Sequence, residues 1–117
     1  MTLEQKLYAL LVAICPRVFP GFAPTDTPRP CVTYQGIGGE VPQFMDRTIA
    51  AQRNSVKQIN VWADDPDEAI ALIQQIEAAL INATEFQASP EAAAVDDFDS
   101  DMERYCSHQD FSIWADR

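Results

Sequence analysis

The sequence predicts an α+β fold, with two amphipathic helices packed on one face of a mainly antiparallel sheet of about four strands. Three observations predict it. Leu3 to Ile14 and Pro66 to Leu80 space their apolar residues at the helical period and begin with cap residues. Ser55 to Ala63 and Tyr105 to Ala115 alternate as half-buried strands do. Finally, INVWADD at 59–65 and FSIWADR at 111–117 share a polar–aliphatic–Trp–Ala–Asp order and hold the only two tryptophans.

The first helix opens on Thr2 as N-cap, with Gln5 three residues on to complete a capping box. Leu3, Leu7, Leu10, Leu11 and Ile14 fall on one face, and Pro16 ends the run because it cannot continue a helix. Residues 16–30, PRVFPGFAPTDTPRP, carry five prolines and read as an extended, stiff connector. Cys31 to Gln35 reads as a strand. Residues 36–54, from Gly36 to Asn54, have no firm period. A connection this long inside a small domain is uncommon without a functional reason.

In the strand Ser55–Ala63, Ile59, Val61 and Ala63 point one way and Gln58, Asn60 and Trp62 the other. The second helix starts at the N-cap Asp65, with Pro66 in its first position and Asp67 and Glu68 at the positive end of the dipole. Ala69, Leu72, Ile73, Ile76, Ala79 and Leu80 form its stripe, and Asn82 stops it. Residues 83–103 are expected to hold one short strand near Ala92–Val95 and then an acidic turn. In the last strand, Tyr105, Ser107, Gln109, Phe111, Ile113 and Ala115 alternate with Cys106, His108, Asp110, Ser112 and Trp114.

Residues 1–117 are long enough for one domain with one core. No apolar run approaches the roughly 20 residues of a bilayer-spanning helix, and the first residues read as an amphipathic helix rather than a signal peptide. Three cysteines without CxxC spacing suggest buried thiols in a reducing compartment. Residues 1–62 carry a balance of +2 and residues 63–117 a balance of −12. Such a surface repels phosphate, so no tight nucleic-acid binding is expected.

Asp96, Asp97, Asp99, Asp101 and Glu103 alternate as carboxylates do in calcium loops. Counted from Asp97, however, the sixth position is Met102 rather than glycine and the twelfth is His108 rather than glutamate. His108, the single histidine, has neither Cys106 nor Asp110 at a zinc or dyad spacing that forms a motif. The GIGG run lacks a following Lys-Ser/Thr. No metal, cofactor or catalytic residue is assigned, and no enzyme is expected.

The repeated phrase reads as two neighbouring strands under one burial rule. The aliphatic residue and the alanine face the helices, and Trp62 and Trp114 face the opposite side. Either a loop of the same chain, such as the proline connector, or another subunit covers that side.

The order of these segments resembles the phage tail-completion family, the small tail-terminator or neck proteins of long-tailed phages and prophages. Pro30 through Gln35, Gln58 to Ala63 with the helix start behind it, and Phe111 to Trp114 carry the resemblance. It implies a structural protein located in the virion tail, and in the host cytoplasm during assembly. It also implies a ring, commonly a hexamer, that ends tube growth and lets the head join. Partners would be further copies of the chain, the tail tube protein and head connector proteins, with no membrane. Residues 36–54 would then be an arm, with Phe44 and Met45 as anchors and Arg47 and Arg53 meeting acidic partners; Trp62 and Trp114 complete the candidate interface. Alternatives are a head-side connector subunit, an acidic DNA-mimic inhibitor of a nucleic-acid-binding protein, and a small metal-dependent enzyme or sensor built on the acidic cluster.

Overall fold

The computed structural model describes residues 2–24, 26–101 and 103–116, so Met102 in the acidic stretch lies outside the described residues. Along the chain come α1 (Leu3–Ile14), β1 (Val18–Pro20), β2 (Cys31–Gly38), β3 (Gln52–Ala63), α2 (Pro66–Ile81), β4 (Gln87–Pro90), β5 (Val95–Asp99) and β6 (Arg104–Asp116). The capping box forms as the sequence requires. The Gln5 amide donates to Thr2 Oγ1 at 3.1 Å, and the Thr2 amide donates to Gln5 Oε1 at 2.9 Å. At α2, Asp65 accepts from the Asp67 amide at 3.0 Å, and the Asn82 side chain donates back to the Ala78 carbonyl at 2.9 Å.

The α+β class and both helices match the sequence, but the sheet differs. It has six strands and is mixed, in the order β1–β2–β3–β6–β4, with β5 also on β6. β6 is the spine. β3 pairs along its whole length, and its other edge is shared by β4 at Phe111–Trp114 and β5 at Arg104–His108.

Three expectations need correction. The proline connector contains β1, which runs parallel to β2 with Val18 opposite Val32. Only an edge position tolerates Pro20, which brings no backbone donor. Residues 36–54 are not one loop. β2 continues through a bulge to Gly38, and β3 begins at Gln52. Residues 83–103 hold two strands rather than one, and part of the acidic turn is β5 itself. Its exposed carboxylates suit an edge strand, because charge discourages pairing with foreign strands.

Alternation of β3 and β6 then builds the core. Ile59, Val61 and Ala63 of β3 and Phe111, Ile113 and Ala115 of β6 are buried under Leu3, Leu7 and Leu11 of α1 and Ala69, Ile73, Ile76 and Leu80 of α2. Leu10, Ile14 and Leu72 pack around the margin. The opposite sheet face is polar: Gln35 donates to Gln58 at 3.0 Å and Asn54 to Ser112 at 2.9 Å. One covered and one polar face is the usual pattern of an antiparallel sheet. The chain measures 53 × 25 × 24 Å with a radius of gyration of 15.2 Å, against about 13 Å for a compact chain of this length.

Candidate docking surface

Between β2 and β3, residues 39–51 leave the sheet as an arm. Its base is fixed. Gly39 has φ +145°, and a Cβ there would lie 2.6 Å from the Asn54 carbonyl oxygen, so only glycine fits. The Glu40 amide donates to Asn54 Oδ1 at 2.8 Å, while Asn54 Nδ2 reaches Ser112 and the Ile113 carbonyl. One asparagine thus ties the arm to both β3 and β6.

The tip is a closed turn. Gln43 and Ile49 form a bridge, the Arg47 amide donates to the Phe44 carbonyl at 3.0 Å, and Asp46 accepts from the Thr48 amide at 2.9 Å. That last bond holds the Asp46 carboxyl below its ordinary range. Arg47 has φ +65°, which turns the backbone back on itself. Val41, Phe44, Met45 and Ile49 are all exposed, Met45 completely. Four apolar side chains in nine residues, all in water, are unusual unless something covers them.

The six candidate residues do not form one surface. Phe44, Met45 and Arg47 come together at the tip. Arg53 faces the helices, where its guanidinium pairs with Glu4 of α1, and the nearly buried Lys57 reaches the same carboxylate at 3.4 Å. Burial works against the charged Glu4, but its backbone hydrogen bond and the two cations outweigh it, leaving its pKa below 4.5. Arg53 is therefore a strut between α1 and β3 within the chain.

Trp62 and Trp114 share the polar face but not a patch. Trp62 is opposite Cys106 in register, and Trp114 is opposite Asn54. They are eight residues apart along the strand pair, or roughly 26 Å. Trp62 is embedded in its own chain. Its indole N–H donates to Thr33 Oγ1 at 3.2 Å, and the Arg104 guanidinium stacks 4.1 Å above the ring. Asp99 holds that guanidinium at 3.2 Å. Cys31 and Cys106 flank Trp62 on the neighbouring strands. Burial, with help from Asp97, pushes the Cys106 thiol up to about 11, and burial also raises Cys31. Both thiols are therefore packing groups rather than nucleophiles at neutral pH.

Among the described residues, no group of three or more His, Cys, Asp or Glu side chains is placed to hold a metal ion, and no helix is long and apolar enough to cross a membrane. The acidic residues are dispersed: Asp96 accepts from Ser107 at 2.6 Å and Asp99 binds Arg104.

The model of the family described as tail completion protein gp17 matches residues 4–116. The chain belongs to that family. It is a phage tail-completion protein, which places it with the components of the virion tail. A search of curated proteins finds no match.

The match to this tail-completion family spans the body and the arm alike. Two parts of the site escaped the sequence. Asn54 reads as connector in the sequence, because its bond to Glu40 joins residues fourteen apart and leaves no local signal. The sequence does not connect Arg104 with Trp62, because a stack between the neighbouring strands β3 and β6 is visible only in register.

Proposed function

We propose that this chain completes the tail as a ring of identical copies at its head-proximal end, ending tube growth and presenting a surface to the head connector. The arm carries the proposal. Its apolar tip is held in a defined turn and left uncovered by its own chain, which a neighbouring subunit in a ring would correct. Contacts made by an arm on one side of a subunit and received on another are heterologous. Such contacts close into rings when the rotation permits. The strongly acidic second half supports a lumen through which DNA passes without adhering, since like charges repel the phosphate chain.

The test is electron microscopy of particles from a phage carrying this gene, with the gene deleted. The proposal expects overlong tails, or full heads beside unjoined tails. Normal, infectious particles would contradict it.

A further inference from the structure

A cavity of about 500 Å³ opens between α2 and the link joining β4 to β5. Ile70 and Ile73 of α2 and Ala94 of the link give it apolar walls, Glu77 and Asp96 an acidic rim, and Gln109 of β6 a polar lining. Gln109 is unusual. It is only 3% exposed, on the face of β6 that also buries Ser107, Phe111, Ile113 and Ala115. Its Nε2 donates to the Ala92 carbonyl at 2.8 Å, which settles the orientation of the amide. Its Oε1 is buried and has no donor among the described residues. The Gln109 amide thus brings an unpaired acceptor to the lining of the cavity.

Among the described residues, one cation is free. Among the described residues, each other lysine and arginine has a partner: Lys6 the Glu85 carbonyl, Arg17 the Pro30 carbonyl, Arg29 Asp64, Arg53 and Lys57 Glu4, and Arg104 Asp99. Arg47 has no side-chain partner, and it sits at the arm tip between Met45 and Ile49, both exposed. Its own cavity is distant from the arm's base. Gln109 is opposite Ile59, seven residues along β3 from the arm's base at Gln52, or roughly 23 Å.

We propose that this cavity is the socket for Arg47 of a second copy of the chain, with Phe44 and Met45 of that copy against its apolar walls. A guanidinium brings several donors at once. It meets Glu77 and Asp96 on the rim and reaches the Gln109 oxygen once that side chain turns toward it, matching charge with charge and apolar wall with apolar tip. The arrangement is heterologous, tip to socket, and repeats from copy to copy. It rests on the reading of the chain as a self-assembling tail component and specifies how its copies join.

The test places the photo-crosslinking residue p-benzoylphenylalanine at position 45 of the full chain. It is irradiated both in concentrated purified protein and in assembling particles. The expected result is an adduct mapping to residues 70–77 or 90–96 of a second copy. Arg47→Glu should abolish it, and Glu77→Lys and Gln109→Leu should each reduce it at least tenfold. Gln109→Leu removes both the unsatisfied acceptor and the bond to the Ala92 carbonyl, so its melting temperature is measured beside Glu77→Lys to show that a lost adduct does not reflect unfolding. No adduct, an adduct on another protein or elsewhere on this chain, or an adduct indifferent to Gln109→Leu and Glu77→Lys would overturn the socket. Overlong tails on gene deletion without this adduct would overturn the socket alone. Normal tails with the adduct would overturn tail completion and leave the self-contact standing.

Discussion

The arm and the body of this protein contain similar side chains in opposite circumstances. In the body, Phe111, Ile59 and Ile76 are fully buried between the sheet and the helices. In the arm, Val41, Phe44, Met45 and Ile49 are just as apolar and stand in water. Hydrophobic burial on folding stabilises the body by the area it removes from water. The arm gains nothing of the kind until a partner arrives. On the proposed reading, apolar character serves folding in one region and association in the other, and mutations should separate the two.

The largest effect on folding should come from the body. Phe111→Ala, at the centre of the helix-covered face, should cost about 3–5 kcal/mol in chemical denaturation. The arm's base should come next. Gly39→Ala forces a side chain into a left-handed position against the Asn54 carbonyl and should cost about 1–3 kcal/mol, with loss of protection from hydrogen exchange at the Glu40 amide. A cost near zero would mean that the arm is not anchored where β2 ends.

A smaller effect should attend the strut between α1 and β3. The Glu4 pKa is lowered on folding from an ordinary value of 4.5. Its stabilising contribution is therefore present above that value and is lost as pH falls through the lower, folded one. Glu4→Gln should lower stability at neutral pH by about 1 kcal/mol, a modest figure because the pair is partly exposed. The gap between variant and parent should close below pH 4.5. A constant gap across that range would show that charge is not what joins these elements.

Trp62→Phe should have a lesser effect still. It removes the bond to Thr33 and weakens the Arg104 stack, costing about 0.5–1 kcal/mol. Fluorescence should separate the two tryptophans, since their environments are far apart in register. Equal quenching of both by iodide would contradict the embedding described for Trp62.

The two regions also differ in how clearly the sequence announced them. Helices α1 and α2 were legible to their caps because Thr2, Gln5, Asp65 and Pro66 act locally. The facing of β3 and β6 was legible because burial imposes a period of two. β1, β4 and β5 were harder to read. Val18–Pro20 sits among prolines, and β4 and β5 are short edge strands whose stability comes from pairing with β6 rather than from their own residues. At the arm, Phe44, Met45 and Arg47 stood out as apolar and basic residues in loop surroundings. Arg53 was placed with them by sequence proximity, but strand alternation turns it toward Glu4. The repeated tryptophan phrase marked two adjacent strands. Antiparallel pairing puts its copies at opposite ends of the sheet, a separation invisible without the register. The Gln109 cavity was equally hidden, because its deciding feature is an oxygen without a donor.

The most direct measurement is made on the double variant Phe44→Ser/Met45→Ser, supplied to a phage that lacks its own copy of the gene. Thermal unfolding of the purified variant should match the parent within about 0.5 kcal/mol, because exposed side chains add little to folding. Micrographs of the complemented phage should nevertheless show overlong or unjoined tails. An equally stable variant that yields normal, infectious particles would contradict the assignment of the arm to assembly.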